Sequence, residues 1–368
     1  MDSSTSPSST SGRIPKLALR LVILGLLTWA LGAWFILAIH PEMRFASAAA
    51  QRKLAYAQKL TAEKGPKSVI YGGSSCAFSI NGAEMLEKYG LPVANLGMMA
   101  GLGARINTLF ALQAVQRGDN LLIALEPALL TDPIEPVGLE MQFSVRTGHP
   151  EWMLKPQLGQ PGVSWLSAGL LVRPGGYQLL TLAGKILMRQ PLYRYRIEEV
   201  QASGWQQTSV RMDISGPPGH RIHLSDDAKR FLQSLAGLCR ERGVRLAYVL
   251  PWGYCPPDQV AAFRRENAEF LLEVSQWVEV LKDPMLGAYS AREEFADTSW
   301  HLTETGSVRR CDVLANQIKS WRAWTREELQ AIPRSTAYLP TVVPRNEASN
   351  AAIASTSSRG EASPDLGR

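Results

Sequence analysis

Apolar and polar positions fall into blocks along this chain, and the first block is unbroken. Residues 21–39 run nineteen positions without a charge, long enough to cross the hydrocarbon core of a bilayer as one helix. Residues 43–66 then mix Ala, Lys, Gln and Leu and predict a helix that carries the chain away from that segment. Short apolar runs follow at 69–71, 91–97, 120–126, 244–251 and 278–283; their length and β-branched content predict strands. Between them, apolar residues at helical spacing predict helices over 83–89, 105–116, 224–243, 259–274 and 303–324. Gly90 and Gly243 stand where a left-handed residue closes a helix. Ser225, followed by two acids, stands where a cap opens one. Strands alternating with helices predict an α/β domain, a parallel sheet with helices on both faces, preceded by one transmembrane helix.

The pattern breaks between Thr131 and Leu224. Residues 131–223 are rich in Pro, Gly, Trp and Tyr and read as a long insertion, helical around 176–190. An insertion of this size in a compact fold is commonly a lid, a binding surface or an assembly element. Residues 1–16 and 335–368 read as disordered tails. The chain therefore divides into a tail over 1–16, an anchor over 17–39, a helical linker over 40–66, an α/β domain over 67–330 with its insertion, and a second tail.

Arg13, Lys16 and Arg20 precede the apolar segment, so the positive-inside rule puts the N-terminus in the cytoplasm and the main domain on the periplasmic or extracellular side of a bacterial inner membrane. A cleaved signal peptide is the competing reading, since Ala46-Ser47-Ala48 resembles a cleavage site. The apolar run is longer than a signal peptide needs, and that site lies well beyond its end. We therefore take the segment as an uncleaved, single-pass anchor.

Composition changes this picture little. The net charge of +6 is scattered, and no stripe or motif for nucleic acid is present. The four cysteines, 76, 239, 255 and 311, lack the spacing of a zinc or redox site. Cys239 and Cys255 either pair in an oxidising compartment or remain buried thiols. No metal or organic cofactor is expected.

Two stretches carry candidate chemistry. In "KSVIYGGSSCAFSING", residues 67–82, a strand runs into Gly72-Gly73 and two serines. This is either ordinary turn chemistry or the presentation of a nucleophile at the carboxyl end of a strand, where active sites of such sheets collect. In "FADTSWHLTETG", residues 295–306, Asp297 and His301 precede the last helix. His301 is one of five histidines; the others are at 40, 149, 220 and 223. A serine nucleophile needs an imidazole to take its proton and a carboxylate to orient that imidazole. Asp297 alone could equally be a helix cap.

The strand–"GGSS" stretch, "NLG" after the second strand and "D-x-x-x-HL-x-x-x-G" before the last helix together resemble the SGNH (GDSL-type) hydrolase superfamily. The resemblance covers about residues 67–130 and 224–322. It implies a flavodoxin-like domain in which Ser74 is the nucleophile, His301 the general base and Asp297 its orienting partner. It also implies an oxyanion hole using the backbone N–H groups of Ser74 and Gly97. At the third donor place, where the family has an asparagine after strand three, this chain has Glu126. The Asp–His spacing is one residue longer than the family's D-x-x-H. Both departures resemble the divergent, membrane-anchored branch linked to acylation of envelope polysaccharides. The function implied is an acyl esterase or acyltransferase on ester-linked acyl groups, acetyl above all, of such a polysaccharide. The partners implied are the acylated polysaccharide or acyl donor and a multi-spanning acyltransferase or glycan synthesis machinery. The alternative is a non-catalytic glycan-binding or scaffold subunit of a polysaccharide synthesis or export complex. Glu126, at the end of a strand, either binds substrate or a lid or is solvated, and Trp252 and Trp300 flank the predicted site loops, where aromatic faces could meet a sugar or simply pack.

Overall fold

The computed structural model describes residues 13–132, 138–173, 176–208, 210–214, 216–219 and 221–332. The tail expected over 335–368, residues 1–12 and His220 lie outside them. The first helix, α1 (Arg13–Trp34), begins inside the segment expected to be a disordered tail and ends in a π-helical turn over Phe35–Ile39. Lys16–Ile39 is long and apolar enough to cross a membrane. His40 breaks the helix with an extended backbone, and Pro41 opens α2 (Pro41–Lys64), a position that proline favours because no N–H is needed there. One stripe of α2 is buried: Met43, Ala46, Ala50, Lys53, Ala57 and Leu60. That i, i+3, i+4 spacing seats the linker helix along the sheet, against its second strand.

The central sheet is built from β1 (Ser68–Gly72), β2 (Val93–Asn95), β3 (Asn120–Ala124), β4 (Arg245–Tyr248) and, after a two-residue β5 (Gly253–Tyr254), β6 (Glu279–Val280). Its order is β2-β1-β3-β4-β6 and every pairing is parallel. This is the flavodoxin-like strand order, whose direction of winding reverses beside β1. Ser68 pairs with Val93 on one side and Asn120 on the other, and Gly72 pairs with Ala124. The carboxyl ends of β1 and β3 thus open side by side at the switch point. β5 pairs in parallel with β7 (Ala288–Tyr289) as a small second sheet.

Alternate strand residues divide between two cores. Val69, Tyr71, Leu121, Ile123 and Tyr248 face one cluster, which includes α2 and α11 (Asp226–Arg242). Ile70, Leu122, Ala124 and Ala247 face the other, with α3 (Ser74–Ser79), α4 (Gly82–Tyr89) and α13 (Glu304–Ser320). Both faces are therefore covered, as continuous apolar strands require. The expected helix ends hold: Gly90 and Gly243 are left-handed, and Ser225 accepts from the Ala228 N–H. β1 extends one residue beyond its apolar run at each end, whereas the other strands are shorter than theirs, down to two residues of 278–283 in β6.

After α6 (Ala128–Thr131), the insertion folds as short helices: α7 (Gly138–Arg146), α8 (Glu151–Leu154), α9 (Trp165–Leu171) and α10 (Gly176–Leu187). α5 (Gly103–Leu112), α12 (Val260–Val274) and α14 (Arg326–Gln330) complete the described helices. All four cysteines are free and buried. Cys239 packs in the main core and Cys255 beside Phe263 and Ala288, in separate clusters, so the pairing considered for them is not made.

Candidate active site

At the end of β1 the chain turns with no room for side chains. A Cβ on Gly72 would stand 2.0 Å from the Ala124 carbonyl oxygen, and one on Gly73 would stand 2.4 Å from the Glu126 carboxylate. Glu126, just past β3, fills that space. Its Oε2 accepts from the Gly73 N–H (3.1 Å) and its Oε1 from the Ser75 N–H (2.9 Å). The carboxylate thus sits on orphan donors at the start of α3, where the helix dipole also favours negative charge. This corrects the expectation that Glu126 meets substrate. It is buried and committed to the turn.

The two serines part ways here. Ser75 is buried, with its Oγ facing the interior and unpartnered. Ser74 is half-buried and lines a cavity of about 30 Å³ with Lys53, Phe78, Gly97, Met98 and Tyr195 among its walls. That is room for about one water. The Ser74 N–H has no partner among the described residues, so one expected oxyanion donor is open. The Gly97 N–H is not. It donates to Asn95 Oδ1 at 2.9 Å. Asn95 is the clamp between β2 and α3, since its Nδ2 also donates to the carbonyls of Cys76 (3.0 Å) and Ile80 (2.7 Å). Gly97 is needed for a different reason from the one expected. A Cβ there would stand 2.5 Å from the Ala77 nitrogen.

Asp297 and His301 do meet. Ala296 N–H donates to the His301 carbonyl (2.8 Å), Phe295 and Leu302 form a bridge, and Thr298 Oγ1 accepts from the His301 N–H (3.1 Å). This tight turn absorbs the longer spacing and puts both side chains on one side. His301 Nδ1 lies 2.8 Å from Asp297 Oδ1. With a proton on Nδ1, Nε2 is left as the acceptor. The imidazole stacks on Phe78, 4.2 Å between centroids and 20° between planes. Phe78 is four residues beyond Ser74 on α3, hence on the same helix face. No hydrogen bond joins Ser74 Oγ to His301 among the described residues.

The insertion closes over this pair. Tyr195 Oη donates to Asp297 Oδ2 at 2.9 Å, and an Arg194 guanidinium nitrogen lies 3.3 Å from the same oxygen. Burial pushes the Asp297 carboxyl up. The hydrogen bond and charge of His301, the Tyr195 hydroxyl and Arg194 outweigh it and hold the group below its usual value. Burial pushes the Tyr195 phenol up, so it remains a donor.

The other aromatic expectations divide. Trp252 is almost fully buried, stacked on Tyr289 at 3.5 Å with the Arg310 guanidinium over its ring. It is core, not a sugar platform. Trp300 stays half-buried beside His301.

Sequence reasoning missed Lys53, Phe78, Arg194 and Tyr195, and it read Asn95 only as part of "NLG", not as a clamp. Lys53 is buried and donates to the carbonyls of Gly204 and, at 3.5 Å, Asn95; burial pushes its ammonium down to about 8. A signal existed, since Lys53 lies on the apolar stripe of α2. Among the described residues no group of three or more His, Cys, Asp or Glu could hold a metal. Compared with family models, curated proteins and solved structures, the chain gives no match.

Proposed function

We propose that the chain is a membrane-anchored, SGNH-like acyl esterase or acyltransferase acting on ester-linked acyl groups, acetyl above all, of an envelope or secreted polysaccharide. The observation that carries this reading is the Asp297–His301 pair stacked on the helix that begins at Ser74. In the reaction, Ser74 Oγ attacks the acyl carbonyl while His301 Nε2 takes its proton. Asp297 keeps Nδ1 protonated and stabilises the imidazolium. The Ser74 N–H faces the developing oxyanion. The tetrahedral intermediate collapses to a Ser74 ester as His301 returns the proton to the leaving alcohol. Water or an acceptor hydroxyl then repeats the steps in reverse. A cleft of about 30 Å³ admits no acyl sugar, so turnover requires Tyr193 and Gln206 of the insertion to move. The same motion brings the site's loose contacts to reacting distance, as catalytic hydrogen bonds often tighten only with substrate.

A second reading has its own observation. Gly97 N–H and Glu126 are both engaged by the protein, which leaves one oxyanion donor and suits a non-catalytic glycan-binding or scaffold subunit. Turnover of p-nitrophenyl acetate by the full chain separates the two. The enzyme reading expects activity that is lost in Ser74→Ala and His301→Ala and kept in Ser75→Ala. Turnover indifferent to Ser74→Ala, or none at all, leaves the scaffold.

A further inference from the structure

A second cavity does not include Ser74. It has a volume of about 760 Å³ and lies where the apolar helix meets α2 and α10, within the range of small-molecule sites. Its walls are of two kinds. Phe35, Ile39, Leu182 and Ile186 are apolar and belong to the π-turn and α10. Arg44 and Arg146 stand on the α2 and α7 side. Among the described residues neither arginine forms an ion pair. Arg146 Nε is held by Ser47 Oγ at 2.9 Å, and burial and the neighbouring Arg44 both weaken its hold on its proton. Glu42, on the first turn of α2, is pushed up by burial and feels Lys185, not the arginines. Two unpaired guanidiniums side by side in one cavity call for an anion with several oxygens.

The surroundings say where that anion comes from. Trp29 Nε1, within the apolar helix, donates to the Gly169 carbonyl of α9 at 2.8 Å. Trp29 precedes Ile39 by ten residues, about 15 Å along a helix. The α9–α10 segment therefore runs beside the C-terminal half of the segment that can cross a membrane. Its own apolar side chains face outward: Trp165, Leu166, Leu170, Leu180, Ile186 and Leu187, the last 86% exposed. From Ser164 to Tyr193 the sequence has no Asp or Glu, but does have Arg173, Lys185 and Arg189. An apolar, purely basic segment against a membrane helix matches an anionic leaflet surface.

We propose that this cavity binds an anionic membrane lipid, its phosphate between Arg44 and Arg146 and its chains leaving past Phe35, Ile39 and Ile186 into the outer leaflet. Phe45, Tyr193 and Tyr195 wall both this cavity and the Ser74 cleft, so a bound lipid abuts the residue that holds Asp297. The proposal needs the anchor to lie in a bilayer, but not the Ser74 chemistry.

Native mass spectrometry of the full chain, offered phosphatidylglycerol or phosphatidylcholine of matched chains, tests it. Phosphatidylglycerol is expected to be retained in preference, and Arg44→Gln with Arg146→Gln lowers its retention roughly tenfold. Arg146→Lys keeps most of the preference, and Leu182→Trp, which narrows the cavity at its apolar wall, lowers retention of both lipids. Ser74→Ala keeps full binding, so failure of the esterase reading does not disturb this result. Equal retention of the two lipids overturns the proposal. So does a preference indifferent to the arginines in a chain that melts like the wild type, or binding of inorganic phosphate with no retention of lipid.

Discussion

The turn that carries Ser74 and the turn that carries Asp297 and His301 are held by different parts of the molecule. The Ser74 turn is fixed from within the α/β core. Glu126 satisfies two of its N–H groups, Asn95 clamps α3 to β2, and Gly72, Gly73 and Gly97 leave no space for a Cβ. The Asp297–His301 turn closes itself, but its carboxylate is finished by Tyr195 and Arg194 from the insertion. The core thus fixes the turn at Ser74, and the insertion completes the surroundings of Asp297. On the proposed reading, a half held by the core and a half closed by the insertion are what a lidded site needs, since one must not move and the other must.

The comparison breaks most severely in the core half. Glu126→Ala strands two buried N–H groups that now donate to a carboxylate, and is expected to cost about 4 kcal/mol of stability. Gly97→Ala, with backbone rather than a flexible side chain in the way, is expected to cost about 3 kcal/mol. Urea unfolding of each variant checks both values. A loss under about 1 kcal/mol in Glu126→Ala contradicts its place as the anchor of the turn.

Lys53 belongs to the same half but acts in the opposite sense. Its folded value of about 8 lies below the unfolded value of about 10.4, so the unfolded chain binds the proton more tightly. Stability is therefore expected to rise as pH goes from about 8 to about 10, by up to about 3 kcal/mol. Lys53→Met removes that rise, which melting curves of both proteins across this window compare directly.

These anchors also show what could be read from the chain. The apolar runs announced β1, β3 and β4 because a parallel strand buried on both faces must be apolar throughout. Gly90 and Gly243 announced helix ends because no other residue adopts that backbone as cheaply. The chain order of Ser74, Asp297 and His301 was visible, and so was the anomaly at Glu126. Its use was not, because nothing local says that a carboxylate after β3 reaches the start of α3. Trp252 misled for a similar reason. Its partners Tyr289 and Arg310 arrive from far along the chain and turn a loop aromatic into core. Tyr195 and Arg194 lie in a segment without periodicity, so no pattern directed them to Asp297.

Effects in the insertion half are smaller. Tyr195→Phe removes one hydrogen bond to a charged acceptor and is expected to lower stability by about 1 kcal/mol and esterase turnover about tenfold. Rates of p-nitrophenyl acetate cleavage measure the second effect. An unchanged rate separates the insertion from the base. Smallest is a pH effect. The folded Asp297 is held below its unfolded value of about 3.9, so its contribution is complete above that value and fades as pH falls through the folded one. Tyr195→Phe weakens the pull that lowers it, and the difference in stability between wild type and variant is expected to shrink below about pH 4. Acid titration of both by circular dichroism reads this convergence.

The most direct test of the site is covalent. A fluorophosphonate added to the full chain, followed by peptide mass spectrometry, is expected to place the adduct on Ser74, with none on Ser75 and none in His301→Ala. An adduct elsewhere, or no adduct with the insertion intact and the fold unchanged, contradicts Ser74 as a nucleophile activated by Asp297 and His301.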